Sequence, residues 1–342
     1  MLLGSSCFFV YFWAMVWRAL AGAFGLDVVA QFVGWSVSAA LCTERYFDLV
    51  GAGTHAWLAL HTLTAGKPAV GSVGGRSAVC TVLVLIWASR LGGFLNSRAR
   101  RFGDGRFDEV KGDPRQFLVY WLVQAFWVFL TDLPVLLVNS QQEDQPGVGM
   151  TDCLGWMLWA VGFALEVTAD TQKSAFKDSG AGEKGWIDTG LWRLSQHPNY
   201  FGEILLWAGM WLACSGGFRS WWQWGSVVSP VFVAWMITQV SGIPILQQRA
   251  RERWGKDPRY QHYVQTTNLL IPGPPRAGPA GAPPRRGPPP VAARGRPRWR
   301  LAVHAAVSGA LLLPAWGALE GGGKPGLRGA PFAAPERKVG TR

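Results

Sequence analysis

A succession of apolar runs at membrane-spanning length constrains this chain more than any other feature. The runs fall at roughly 2–20, 28–42, 47–63, 78–95, 117–138, 153–169, 201–214 and 227–246. Crossing the hydrocarbon core of a bilayer takes about 20 apolar residues in a helix. In lipid every backbone N–H and C=O must be bonded within the protein, so runs of this kind read as helices. Several runs reach that length, and the shorter ones fit if tilted or packed against neighbours. The expected fold is all-α, a polytopic membrane protein with about seven transmembrane helices. The first run has no basic region ahead of it and reads as a retained span, not a cleaved signal.

Composition agrees with this class. Only 16% of residues are charged, 49% are apolar and 20 are Trp, a side chain favoured where a membrane meets water. The net charge of +12 is a property of one end. Twelve of the 33 Lys and Arg, but only two of the 21 Asp and Glu, lie beyond Pro272. Two parts follow: a membrane domain over 1–272, and a Pro-, Gly-, Ala- and Arg-rich tail over 273–342 that reads as disordered. The tail Arg side chains suit anionic lipid. The body carries no basic face, so no nucleic-acid partner is expected. Cys7, Cys42, Cys80, Cys153 and Cys214 occur singly, with no metal-ligand spacing, so neither a disulfide framework nor a metal site is expected.

The charges of the body concentrate in three loops, around Arg98–Arg106, Lys173–Lys184 and Arg249–Lys256. Two spans separate each successive pair, so all three fall on one side. Cytoplasmic loops carry the excess Lys and Arg, which makes that side the cytoplasm.

The most informative segment is Leu191–Glu203, LWRLSQHPNYFGE. It sets Arg193, His197, Asn199, Tyr200 and Glu203 before and inside an apolar run, where polar groups are costly and mark function by default. Pro198 suits the first helical position, and Asn199 and Glu203 then share a face. An Arg before a helix start suits a phosphate. His197 reads equally as a simple helix cap. Upstream, Glu166, Asp170 and Lys173 share one face of the preceding helix, where the carboxylates suit hydroxyl or amide donors. Asp170 reads equally as a helix-end ion pair with Lys173, while Glu166, one turn deeper in an apolar setting, favours function. Arg249 and Arg253, followed by Tyr260, read either as a basic floor under a nucleotide or as a positive-inside anchor. Arg90 lies within an apolar run and poses the same choice, as do Arg98, Arg101 and Arg106. There is no P-loop and no GxGxxG between a strand and a helix.

Several of these stretches together resemble the membrane reductases related to steroid 5-alpha-reductase, in particular the uncharacterised branch with that C-terminal domain. They are Phe47–Gly51, Ser89–Gly92, Asp104–Phe107, ADTQK at Ala169–Lys173, HPNYFGE at His197–Glu203, and Trp254–Pro272. The resemblance covers about 47–272. It implies seven helices with NADPH held among their cytoplasmic ends. It also implies cofactor contacts from Asp170, Asn199 and Glu203, with Arg249 and Tyr260 at the nucleotide end. Glu166 stands where the steroid enzymes tend to have Asn. The catalytic Glu–Tyr pair of those enzymes has no match in the first half, and Glu44 and Arg90 are the candidates for that role. The implied reaction is NADPH-dependent reduction of a C=C bond in a lipid-like enone or steroid, in a membrane expected to be that of the endoplasmic reticulum. Gln196–Gly202 also resembles the helix start of isoprenylcysteine carboxyl methyltransferases, which use S-adenosylmethionine. A non-enzymatic membrane protein is the third reading.

Overall fold

A computed structural model describes residues 2–65, 74–102, 104, 106–141 and 145–278, with the side chains of 2–15, 101–102 and 183–184 left aside. Ten helices follow in order: α1 Leu2–Ala40, α2 Phe47–Thr64, α3 Gly75–Phe102, α4 Pro114–Asn139, α5 Met150–Asp178, α6 Ala181–Lys184, α7 Pro198–Ser215, α8 Val228–Trp235, α9 Ile243–Trp254 and α10 Pro258–Thr266. Among the described residues there is no β-strand, only one isolated bridge between Ser195 and Asn268.

Five stretches are long and apolar enough to cross a membrane: Val16–Ala40, Gly75–Arg100, Pro114–Asn139, Met150–Asp178 and Trp221–Trp254. Their outward faces carry Trp17, Phe32, Val119, Phe126 and Val161, all exposed in a way that suits lipid and not water. The expectation of an all-α, multi-pass membrane protein holds at that level. The count of seven does not follow from length and composition. Helices α2 and α7, 18 residues each, fall short because Asp48, His55 and His61 dilute one and Asn199 and Glu203 the other.

The first two apolar runs are one helix, not two spans. Nothing between them ends a helix, since Gly22 and Gly25 weaken helical propensity without breaking it. The last run is the reverse case. It divides into a 3₁₀ stretch at Trp221–Val227, α8, a π-helical turn at Met236–Val240 and α9. The break falls at Gly242, where a Cβ would stand 3.1 Å from Tyr200 of α7.

Local chemistry sets the helix starts. Asp113 caps α4 by accepting from Arg115 N–H at 2.9 Å, and Asp257 caps α10 through Arg259 N–H at 2.8 Å, each followed by Pro at the first helical position. Pro198 opens α7 in the same way. The ends away from these starts are tied by Arg76 of α3, which holds the buried Asp152 of α5 through two bonds, at 2.6 and 2.8 Å. The core runs through the middle of the bundle, around Trp87, Val138, Trp207 and Met210. The tail expected over 273–342 lies outside the described residues beyond Gly278. The backbone before that point is still tied to the body, Gly273 N–H to Leu194 O at 3.1 Å and Arg276 N–H to Thr266 O at 2.8 Å.

Candidate functional site

The site begins with the most extensively packed helix pair among the described residues, α5 against α7. Four glycines make their approach. A Cβ at Gly162 would lie 2.6 Å from Gly202 O, and one at Gly202 would lie 2.6 Å from Gly162 O. Gly155 and Gly209 repeat the arrangement two turns further on, each 2.6 Å from the other's carbonyl oxygen. Small residues that let backbones meet are the usual device for helix association in lipid. Spaced by seven, they form one straight seam, and the next positions along it are Glu166 and Asp170 on α5 and Asn199 on α7, with Glu203 beside Gly202.

There the seam turns polar. Arg90 of α3 donates through Nη1 to Glu166 Oε1 and through Nη2 to Asp170 Oδ2. Asn199 Nδ2 donates to Asp170 Oδ1 at 3.1 Å. Glu203, one turn beyond Asn199, lies within electrostatic reach of Arg90 and Asp170. Arg90, Glu166 and Asp170 are all under 7% exposed. One guanidinium thus pairs with two carboxyl groups, and a third lies within its electrostatic reach. Such a cluster is expensive unless something further completes it. Three of its atoms are buried without a partner: Glu166 Oε2, Asn199 Oδ1 and His197 Nδ1.

The loop before α7 is braced from behind. Trp192 Nε1 donates to Ala169 O at 3.0 Å, and Tyr263 Oη donates to Trp192 O at 2.9 Å. Lys173 lies over the Trp192 ring, 4.7 Å from its centroid. Ser195 Oγ donates to Leu270 O at 2.7 Å, and Gln196 N–H to Asn268 O at 2.8 Å, so the segment after α10 latches the site from outside. His197 makes no side-chain cap. Its ring stacks on Tyr200 at 5.6 Å, while its N–H donates to Ser195 Oγ at 3.0 Å. Burial, and then the nearby Lys173 charge, push the His197 imidazole down to about 3, so the ring is neutral at physiological pH.

A second cluster stands at the mouth of the bundle. Arg106 Nη2 reaches Asp48 Oδ1 at 3.0 Å, and Arg106 Nε reaches Asp104 Oδ2 at 2.9 Å. Two matched stretches, FDLVG and DGRF, therefore meet through one guanidinium. Burial works against the Asp104 carboxylate, but the Arg106 bonds and charge and the Arg98 charge hold it below its ordinary range. Arg106 is bound by two carboxylates and is not the free cation of a phosphate floor.

The structure brings together Arg90, Glu166, Asp170, Asn199 and Glu203, with Lys173, His197 and Tyr200 beside them. It separates the other candidates. Glu44 sits in the loop between α1 and α2, 3.4 Å from Lys111, in a cluster distinct from that of Arg90. Tyr260 is buried against Trp186, 5.1 Å between rings, and braces α10. Arg193, Arg249 and Arg253 are exposed, Arg253 lying over Trp254 at 5.2 Å. Among the described residues no group of three His, Cys, Asp or Glu side chains is arranged to hold a metal ion. Sequence reading missed a further buried set, Asp27, His55 and Asp132, although ionisable side chains inside apolar runs were the available signal.

No curated protein and no solved structure matches the chain. One family model does, over residues 34–267, a stretch that contains every residue of both clusters. The chain belongs to that family, which is described only as a protein of unknown function, DUF1295.

Proposed function

We propose that this protein is a membrane-embedded, NADPH-dependent reductase that saturates the C=C bond of a lipid-like substrate, either a steroid or a long-chain enone. The observation that carries the reading is the Arg90–Glu166–Asp170–Asn199 cluster at the polar end of the α5–α7 seam, with its unpartnered Glu166 Oε2 and Asn199 Oδ1. Counted with the polar helices α2 and α7, the bundle has seven spans. Helix order then sets Asp48, Arg98, Asn199 and Arg253 at one end, which the positive-inside rule makes cytoplasmic.

The donor set suits the cofactor. Glu166 Oε2 and Asn199 Oδ1 would accept from a carboxamide N–H₂, and the exposed Arg193, Arg249 and Arg253 lie at the end of the bundle where phosphates would stay in water. When bound, NADPH supplies the reducing equivalent. The chain's own part is positioning. Asp170 is fixed from both sides by Arg90 and Asn199, so Asn199 is held with its amide oxygen free. The Gly162–Gly202 contact keeps the two helices from spreading.

The test is turnover. Purified protein in detergent, given NADPH and a panel of lipid enones, is expected to yield a product two hydrogens heavier. Transfer of a methyl group from S-adenosylmethionine to a prenylated cysteine acid would instead favour the methyltransferase reading of the same helix start.

A further inference from the structure

Between α1, α2 and α4 lies a third polar cluster, which the Arg90 site does not use. His55 Nδ1 of α2 and Asp132 Oδ1 of α4 are 2.9 Å apart, and both residues are fully buried. Asp27 of α1 is fully buried too and accepts from Gln31 Nε2 at 3.2 Å. Gln31 Oε1 in turn accepts from Gln124 Nε2 at 3.0 Å. Asp27 lies within electrostatic reach of both His55 and Asp132. Three indoles enclose the imidazole, with Trp87 at 5.0 Å, Trp127 at 5.2 Å and Trp207 at 6.1 Å between rings. Among the described residues no Lys or Arg pairs with either carboxyl group.

Five polar atoms of this neighbourhood are buried without a partner: Asp27 Oδ2, Asp132 Oδ2, His55 Nε2, Trp87 Nε1 and Trp207 Nε1. Native proteins rarely leave such atoms unpaired. The set is chemically mixed. Carboxylate oxygens accept, and indole N–H groups only donate. A carbonyl or an ether satisfies the donors and leaves the carboxylates bare. An ammonium group does the opposite. A hydroxyl both donates and accepts, and it adds no net charge to a site deep in the bundle. Asp132 also fixes the imidazole by its Nδ1 edge, which turns Nε2 away from the pair and toward whatever lies beyond. The outer faces of α1 and α4, with Phe24, Phe32, Val119 and Phe126 exposed, offer such a molecule an apolar approach.

We propose that the Asp27–His55–Asp132 cluster binds the hydroxyl group of an apolar alcohol drawn from the bilayer. The inference rests on these unpaired atoms and not on the nucleotide reading.

The test uses the full chain in detergent and a long-chain alcohol that carries a diazirine and an alkyne. After illumination, labelled peptides are mapped by mass spectrometry. Labelling is expected on α1, α2 and α4, and the unlabelled alcohol should compete for it. Its methyl ether and the matching ketone should compete about tenfold less well, as the loss of one or two buried hydrogen bonds implies. His55→Phe and the nearly isosteric Asp132→Asn should each cut the labelling by a similar factor. Equal competition by alcohol, ether and alkane would overturn the proposal, as would wild-type labelling in both variants. The competition series needs no variant, so misfolding of a mutant cannot decide the matter. NADPH affinity decides the nucleotide reading separately and does not enter this test.

Discussion

Gly162 and Gly202 stand back to back across the α5–α7 seam, so close that a Cβ on either would lie 2.6 Å from the other's carbonyl oxygen. Each Cβ would meet main chain, which cannot rotate aside. Gly162→Ala is therefore expected to push the helices apart and destabilise the protein by about 1–3 kcal/mol, the usual cost of overpacking. It should also weaken NADPH binding, because Asn199 and Asp170 move apart. Gly53→Ala, in open space, is the control. Thermal unfolding in detergent reads the first effect and nucleotide titration the second.

Among the described residues Arg90 is the lone cation in contact with Glu166 and Asp170. Arg90→Met leaves two buried carboxyl groups unpaired and should cost about 3–5 kcal/mol. The triple variant Arg90→Met, Glu166→Gln, Asp170→Asn removes the uncompensated charge and should recover most of that stability without recovering function. Recovery of neither stability nor expression would mean that the cluster is not an electrostatic unit.

The Asn199 Nδ2 bond to Asp170 is a single contact at 3.1 Å. Asn199→Ala should destabilise the protein by about 1.5–3 kcal/mol, the worth of one bond to a charged group. If the amide oxygen also serves the cofactor, NADPH affinity should fall about tenfold or more. A variant that unfolds as readily as Arg90→Met would assign Asn199 a purely structural role.

His197 gives a pH dependence of definite sign. Its folded value is about 3 against an ordinary 6.5. Between those values the unfolded chain binds a proton that the folded chain does not. Stability is thus full above about 6.5 and declines as pH falls toward 3, by at most about 1.4 kcal/mol per unit. The midpoint of unfolding should drop between pH 7 and pH 5, and His197→Asn should flatten that part of the curve. An unchanged slope in the variant would locate the titration elsewhere.

Much of this architecture is legible in the residues. Apolar runs place most of the helices, Pro198 marks the start of α7, and the spacing of Glu166 and Asp170 puts both carboxyl groups on one face, where Arg90 meets them. The physics of those features is local. What escapes is tertiary. His55 and Asp132 are 77 positions apart, and neither has a neighbour in sequence that advertises the pair. The partner helix of Gly155 and Gly162 is likewise not written in α5. Tyr260 and Arg249 fit a nucleotide end by type alone, but packing against Trp186 claims Tyr260, and Arg249 stands in solvent. The single helix α1 was hidden by a polar residue, Asp27, that interrupts apolarity without interrupting helix.

Nucleotide binding to the purified full chain tests the central claim most directly. NADPH, NADH and S-adenosylmethionine would be titrated against wild type, Asn199→Ala and Glu203→Ala. The reductase reading requires selective NADPH binding that both variants weaken. Binding of S-adenosylmethionine instead, or NADPH affinity unchanged in both variants, would contradict it.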